Sequence, residues 1–287
     1  MEIGILPGMS VIEFIKNALL EDVGDGDHTS LATIDPDKIG RGLVRVKQVG
    51  IIAGLVLADQ ILIQVDPLIN VTVHVSEGSK VKNGDIVITA EGRIQSLLKA
   101  ERLLLNCMQR MSGIATITNR YVEKVNGTNA KILDTRKTTP NFRPYEKWAV
   151  VAGGGVNHRF GLFDMILIKD NHVDGAGGII PALQKANEYL HRTKRSLPIE
   201  IETRNLKEVR EVLDFGQVNR IMLDNFTPDL IKEALQLIDS RFETEASGSI
   251  SLDNIRPYAE TGVNYISVGA LTHTFNSLDI SMKISLA

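Results

Sequence analysis

The sequence predicts an α/β protein in two parts: a small β-rich layer followed by helix, then a repeated βα unit of the kind that builds an α/β barrel. Three observations carry that prediction. Between about residues 40 and 92, polar and apolar residues alternate with a period of two, as in half-buried strands. Residues 94–111 return to the spacing of an amphipathic helix. Beyond residue 130, short apolar runs recur roughly every 20–35 residues, each followed by polar residues and a helical or loop segment, the rhythm of a repeated βα unit.

Taken in order, Ser10 stands as N-cap of a helix over residues 10–20, with Val11, Phe14, Ile15 and Leu19 on one face. Glu21-Asp22-Val23-Gly24-Asp25-Gly26-Asp27 follows, a turn-rich acidic stretch that reads as a solvated loop; it lacks the ligand pattern of an EF-hand. In the β-rich part, Leu43, Arg45 and Lys47 interleave with Val44, Val46 and Val49, and Val71 to Val75 alternate likewise. Glu77-Gly78-Ser79 and Asn83-Gly84-Asp85 read as hairpin-type turns. The passage from Val81 to Ile86 is similar to half of a biotinyl or lipoyl carrier barrel, but no lysine sits at a hairpin tip between the neighbours a carrier needs. A structural β layer is the reading. Ile94, Leu97, Leu98, Leu104, Leu105 and Met108 then form a broad helical face; Ser112-Gly113 predicts a break, with a second helix running through Tyr121 and Val125.

The later runs are 131–133, 165–168, 199–201, 220–223, a weaker one near Phe242, and 265–268. Parallel strands buried on both faces explain their apolar character. No Walker lysine motif and no Gly-x-Gly-x-x-Gly follows any of them, so neither a P-loop nor a Rossmann site is indicated. What stands at their carboxyl ends is informative: Asp134-Thr135-Arg136-Lys137, Lys169-Asp170-Asn171-His172, Glu202-Thr203, Asp224-Asn225, Glu245-Ala246-Ser247-Gly248 and Gly269-Ala270. In an α/β barrel those ends share one rim, where active sites sit.

Bulk properties narrow the function. The chain has 287 residues, 23% of them charged, and a net charge of −3, so nothing overall favours nucleic acid. Its apolar stretches fall short of the roughly 18 residues of a membrane span. The single cysteine, Cys107, allows no internal disulfide or thiolate metal cluster and reads as a buried inert thiol. No basic region precedes an apolar core near the start, and a cytoplasmic protein is expected. At the rim, Arg136, Lys137 and Lys169, with His158 and Arg159 nearby, would repel one another without an anionic ligand. Guanidinium groups grip carboxylate and phosphate bidentately, so a polyanion is implied. Glu202 and Asp224 face the same rim and suit ribose hydroxyls, a magnesium shell or positive charge developing at a sugar carbon. Small residues in Ser247-Gly248 and Gly269-Ala270 leave backbone N–H groups accessible to a phosphate.

These residues resemble one family nearly throughout, quinolinate phosphoribosyltransferase, also called nicotinate-nucleotide pyrophosphorylase (carboxylating). The resemblance rests on Glu21-Asp22 through Ser30, Ala100-Glu101-Arg102 to Asn106, Leu133 to Pro140 and on to Glu146-Lys147, and Gly153 to Arg159. It continues through Ile168 to His172, Leu223 to Phe226, Glu245 to Gly248 and Gly269 to His273. It implies an N-terminal α/β sandwich domain over residues 1–112, to which residues 272–287 return, and an incomplete (β/α) barrel over 113–271. By the same resemblance, Arg136, His158, Arg159 and Lys169 hold the carboxylates of quinolinate, and Arg102 reaches the site of a neighbouring subunit in a homodimer. Thr135, Lys137, Glu202 and Asp224 contact phosphoribosyl pyrophosphate and its Mg2+; Ser247, Gly248, Ser249, Val268, Gly269 and Ala270 cradle the 5′-phosphate. Two positions depart from the family pattern: Ser249 stands where a glycine is common, and so does Asn141, a residue type that tolerates left-handed backbone.

The residues alone leave other readings open. Lys137 or Lys169 could serve a Schiff-base aldolase, the β layer a non-enzymatic carrier or ligand-binding protein, and the same fold a different pyridine such as nicotinate. Whether dimers associate further is not legible.

Overall fold

The computed structural model describes residues 10–286; the first nine residues, on which the reading against a leader segment partly rests, lie outside the described residues. Its strands are β1 (Ile39–Val46), β2 (Gly50–Ile51), β3 (Asn70–Val73), β4 (Lys80–Val81), β5 (Ile86–Arg93), β6 (Lys131–Leu133), β7 (Ile166–Ile168), β8 (Ile199–Thr203), β9 (Arg220–Asp224), β10 (Glu243–Ser247), β11 (Tyr265–Ser267) and β12 (Ile280–Leu286). The described residues divide into two compact units. One holds the chain up to Asn119, the segment Thr139–Gly154 and the chain from Phe275 onward; the other holds Arg120–Thr138 and Gly155–Thr274.

In the first unit, helix Val11–Val23 begins where expected. Ser10 Oγ accepts the Glu13 N–H at 3.2 Å, and the Glu13 carboxylate accepts the Ser10 N–H at 2.8 Å, a reciprocal cap. The acidic stretch after it is not loop to its end. Asp27 caps a further helix, His28–Thr33, by accepting the Ser30 N–H at 3.1 Å.

The sheet of this unit is antiparallel in the order β12-β1-β5-β3, so the end of the chain pairs with β1, from Val46 opposite Ile280 to Gly40 opposite Leu286. The period of two on β1 is real: Gly40, Gly42, Val44 and Val46 are buried, while Arg41 and Arg45 are exposed. Val44, Val46, Ile88, Leu57, Ile61, Leu97, Leu104 and Met108 are fully buried and form the core. Each such large side chain contributes roughly 1.5–3 kcal/mol on leaving water.

The expected break at Ser112-Gly113 does not occur. One helix, Ile94–Lys124, runs through it for 31 residues. The glycine is there for packing: a Cβ at Gly113 would stand 3.0 Å from Ser277 Cα and closer still to the Asn276 carbonyl oxygen. Cys107 is buried in this helix, and burial pushes its thiol up to about 12, in line with an inert role.

The second unit carries a wholly parallel sheet in the order β6-β11-β10-β9-β8-β7. β6 and β7 stand at its two ends, and Val156 adds a parallel bridge beside Leu133 of β6, so the barrel is incomplete as predicted. Helices Ile179–Thr193, Leu206–Phe215 and Pro228–Ile238 alternate with the strands. Each presents an apolar stripe, such as Val209 and Val212 or Ile231, Ala234 and Ile238. One strand departs from its apolar reading. On β8 every residue is buried, yet Glu200 and Glu202 alternate with Ile199 and Ile201, so one face is apolar and the other ionic. Among the described residues no helix is long and apolar enough to cross a membrane.

Helix propensity alone would make Gly113→Ala stabilising by roughly 1 kcal/mol. The overlap with the 276–277 backbone reverses that sign, and equilibrium denaturation of Gly113→Ala is expected to show a net loss of about 1–3 kcal/mol.

Candidate functional site

Parallel pairing places the carboxyl ends of β7 to β10 side by side. Ile168 is in register with Ile201, Glu202 with Met222, and Asp224 with Ser247, so Lys169 and Glu202 stand at one level and Asp224 and Ser247 two residues further along their strands. Lys169 Nζ lies 3.5 Å from Glu202 Oε2; the lysine side chain is half-exposed and the glutamate nearly buried. Burial raises the Glu202 carboxyl above its ordinary range, the neighbouring Asp224 raises it further, and Lys169 opposes both. Two acids near enough to disfavour each other's charge mark a place where a cation is welcome.

Beside Asp224, the chain is held in left-handed backbone. Asn225, at φ 56°, donates its side-chain amide to Asp224 Oδ2 at 2.6 Å and its backbone N–H to the Ser247 carbonyl at 2.8 Å. Gly248, at φ +99°, backs onto Asn225: a Cβ there would stand 2.8 Å from the Asn225 nitrogen and closer still to its side-chain amide. Ser249 also has positive φ, 48°, so serine occupies a geometry that favours glycine, and its carbonyl accepts from Asn254 at 3.1 Å. Asn141 at φ 63° likewise adopts the left-handed conformation its side chain tolerates.

Lys137 lies against Gly269, whose missing Cβ would be 3.0 Å from Lys137 Cδ, and the Lys137 carbonyl accepts from Thr272 Oγ1 at 2.8 Å. Thr135 Oγ1 accepts the Lys137 N–H at 3.1 Å, fixing the turn that carries Arg136. The Val268 N–H is spent on the Leu133 carbonyl, 2.9 Å away, so that residue is part of the wall; Gly269 and Ala270 follow it, half-buried.

Arg159 is half-buried and donates through Nη1 to the Met165 carbonyl at 3.1 Å. Burial lowers its pKa, and the nearby Arg136 guanidinium lowers it more, against Asp164 and Glu200. Arg136 and Arg159 therefore share one electrostatic neighbourhood, as an anion site requires. His158 is buried, its Nε2 3.0 Å from Glu200 Oε2 and 3.4 Å from Glu245 Oε2. Glu200 and Arg220, which reaches Glu245 at 3.2 Å, escaped the sequence reading because each sits inside an apolar run. The alternation Ile199-Glu200-Ile201-Glu202 was the signal that could have found Glu200. Arg102 is exposed on helix Ile94–Lys124 of the first unit.

Residues 27–112 match the model of the quinolinate phosphoribosyl transferase N-terminal domain, and residues 114–283 that of its C-terminal domain. A quinolinate phosphoribosyltransferase [decarboxylating] from Nicotiana tabacum, a mitochondrial protein, is 46% identical over 97% of this chain and 83% of its own length. The crystal structure of NadC from Streptococcus pyogenes superposes with a TM-score of 0.92 at 35% identity, covering 98% of this chain and all of that one. The nicotinate-nucleotide pyrophosphorylase of Francisella tularensis does so at 0.91 and 35% identity, with 99% of each chain covered.

Gly248→Ala combines left-handed strain with overlap on Asn225, whereas Gly262→Ala, at φ +96°, meets only Leu235 at 4.0 Å. Strain alone should cost Gly262→Ala about 1–2 kcal/mol. Gly248→Ala is expected to lose about 1–3 kcal/mol beyond that and to displace Asp224. Chemical denaturation of the pair checks this, and equal losses would refute the contact.

Proposed function

The chain belongs to the quinolinate phosphoribosyltransferase family, and from that premise we propose how its own residues carry the reaction. The activity is decarboxylating phosphoribosyl transfer: phosphoribosyl pyrophosphate and quinolinate give nicotinate mononucleotide, pyrophosphate and carbon dioxide, a step of NAD biosynthesis. The aldolase and carrier readings fall with this membership. Lys169, moreover, is paired with Glu202 instead of lying in the apolar pocket that activates a Schiff-base lysine.

The observation that supports the residue assignment is the pairing of charges, with Arg136 close enough to Arg159 to disfavour its charge and Lys169 3.5 Å from Glu202, which Asp224 also neighbours. In this reading Arg136, Arg159, His158 and Lys169 hold the quinolinate carboxylates. Lys137, Thr135, Glu202 and Asp224 take the ribose and pyrophosphate of the second substrate. Ser247 to Ser249, with Gly269 and Ala270 against the wall at Val268, receive its 5′-phosphate.

Magnesium fits this site as a shared ion. Glu202 and Asp224 are hard oxygen donors that disfavour each other's charge, but two carboxylates fall short of a full shell, and phosphate oxygens would complete it. When bound there, the ion would offset the charge of the departing pyrophosphate.

The quinolinate nitrogen attacks the anomeric carbon as the bond to pyrophosphate breaks. Glu202 and Asp224 lie where carboxylates can steady the positive charge that develops on the sugar. Lys137 offsets negative charge on the leaving side. When the adjacent carboxylate departs as carbon dioxide, the bonding pair stays on the ring carbon, where the positive charge of the quaternised nitrogen stabilises it, and a proton then takes up that pair. Holding two anions in line against their repulsion is the main task, and positioning of this kind is worth several kcal/mol.

Arg102 is assigned to the site of a second subunit in a homodimer; its exposure on helix Ile94–Lys124 leaves it available for that role. A cytoplasmic setting suits the lone buried thiol.

Mixing the protein with quinolinate, phosphoribosyl pyrophosphate and magnesium should release carbon dioxide; nicotinate in place of quinolinate should release none. Arg136→Ala is expected to abolish quinolinate binding in calorimetry while leaving the melting temperature near that of the parent. Near-normal binding would defeat the assignment.

A further inference from the structure

Inside the second unit, four ionisable side chains from four segments meet, with Glu245 level with Glu202 and the paired Glu200 and Arg220 two residues deeper along their strands. His158 Nε2 lies 3.0 Å from Glu200 on β8 and 3.4 Å from Glu245 on β10. Arg220 on β9 stands across from the histidine, with Nη1 3.2 Å from Glu245 and 3.9 Å from Glu200. Both carboxylates are fully buried, and the arginine is nearly so. Arg220 is itself fixed from behind: its guanidinium stacks on Tyr265 at 4.1 Å and meets Glu243 at 3.0 Å, which also accepts the Tyr265 hydroxyl at 3.0 Å.

Stability does not explain such a cluster. Replacing a buried ionic group with well-packed apolar residues is commonly neutral or stabilising, and strand residues around the cluster such as Ile201, Ile221, Leu223 and Ile266 are buried and apolar. Metal binding explains it no better. His158, Glu200 and Glu245 present ligand atoms within 4.8 Å of one another, but Arg220 already faces both carboxylates, and with a protonated His158 the charges balance.

The cluster's connections lead to the rim. His158 is followed directly by Arg159, whose backbone N–H faces His158 Nδ1 at 2.6 Å. The His158 N–H donates to Asp134 at 2.8 Å, and Asp134, fully buried, opens the turn that carries Arg136. His158 is thus the joint: its backbone N–H holds the segment that leads to Arg136, its ring accepts the N–H of Arg159, and the same ring is tied to the barrel interior by Glu200 and Glu245. We propose that Glu200, Glu245 and Arg220 are positioning residues that clamp His158 and thereby hold Arg159 and Arg136 in the arrangement that receives a pyridine dicarboxylate. This rests on the assignment of His158, Arg136 and Arg159 to quinolinate.

The charge state of the ring fits the clamp. Burial opposes protonation of His158, but Glu200 and Glu245 outweigh it and lift the imidazole to about 9. The Arg159 N–H at Nδ1 favours the singly protonated ring; two carboxylates in a dry interior are the stronger influence. The other charged groups facing the ring are Asp134, through the backbone, and Arg220, across the carboxylates.

The test uses steady-state kinetics of the full chain with each substrate varied separately. Glu200→Gln and Glu245→Gln keep shape while removing one charge, and each should raise the KM for quinolinate about tenfold, the effect of one charge-assisted hydrogen bond. The KM for phosphoribosyl pyrophosphate should stay within about twofold, a split that general loosening of the barrel would not produce. Because Arg220→Met strands a buried carboxylate and is expected to melt early, the double variant Arg220→Met/Glu245→Gln is made beside it. That pair should recover thermal stability but not quinolinate affinity. Unchanged quinolinate KM in both glutamine variants, or equal rises for the two substrates, overturns the proposal. So does a stoichiometric divalent ion that leaves with Glu200→Gln. Arg159→Ala in the same assay separates the layers: a raised quinolinate KM there with unaltered glutamine variants sinks the clamp alone, and an unaltered KM there sinks the site assignment beneath it.

Discussion

Charge compensation inside the parallel barrel is the constraint from which the rest of the site follows. β8 carries two glutamates on one face, and neither can stay ionised in a dry interior without a partner. Lys169 meets Glu202 near the rim, and His158 with Arg220 meets Glu200 and Glu245. Desolvation still shows: burial and the adjacent Glu245 raise the Glu200 carboxyl to about 7, whereas His158 and Arg220 pull it back down. The Glu245 carboxyl is held low despite burial by the same histidine, by Ser267 and by Arg220. Each charge sits where a neighbouring strand supplies its opposite, so strand register and electrostatics specify one another.

That coupling bears on how much of the molecule could be read from the chain. Local signals were reliable where one residue decides. Ser10 and Glu13 announce a helix start because the cap is made within four residues. The alternation on β1 is legible because one face of that sheet is buried and the other is wet. Polar residues at the ends of later apolar runs identified the rim, since a strand has no packing reason to finish in Lys169, Glu202 or Asp224. Gly113 misled because its cause is tertiary: the 276–277 backbone passes where a side chain would be, and no local pattern records that approach. Glu200 and Arg220 were hidden for the opposite reason. A buried strand is expected to be apolar, and a charge within it makes sense only once its partner from another strand is known.

The backbone around Asp224 shows a second kind of dependence. Asn225, Gly248 and Ser249 are all held at positive φ within two neighbouring turns, and such conformations persist only where surrounding contacts insist on them. Here the contacts are the Asn225 bonds to Asp224 and to Ser247, with Gly248 leaving the room they need. The strain thus serves to aim one carboxylate and to open one stretch of backbone. Serine at 249 shows that the geometry does not demand glycine at every position of the turn, and its exposed side chain leaves the adjoining carbonyl free to bond Asn254.

An anion site that also contains carboxylates looks self-defeating until the reaction coordinate is considered. Both substrates arrive negative, so cations are needed to hold them, the part proposed above for Arg136, Arg159, Lys137 and Lys169. A site of cations alone would, however, oppose the positive charge that gathers on the sugar as pyrophosphate leaves. In the proposed assignment Glu202 and Asp224 answer that second demand, and they sit on adjacent parallel strands that fix their backbone before substrate arrives. Lys169, 3.5 Å from Glu202, opposes the rise that burial and Asp224 impose on that carboxyl. On this reading strand order sets cations and carboxylates beside one another, as with Lys169 and Glu202, and catalysis depends on that pairing more than on any single side chain.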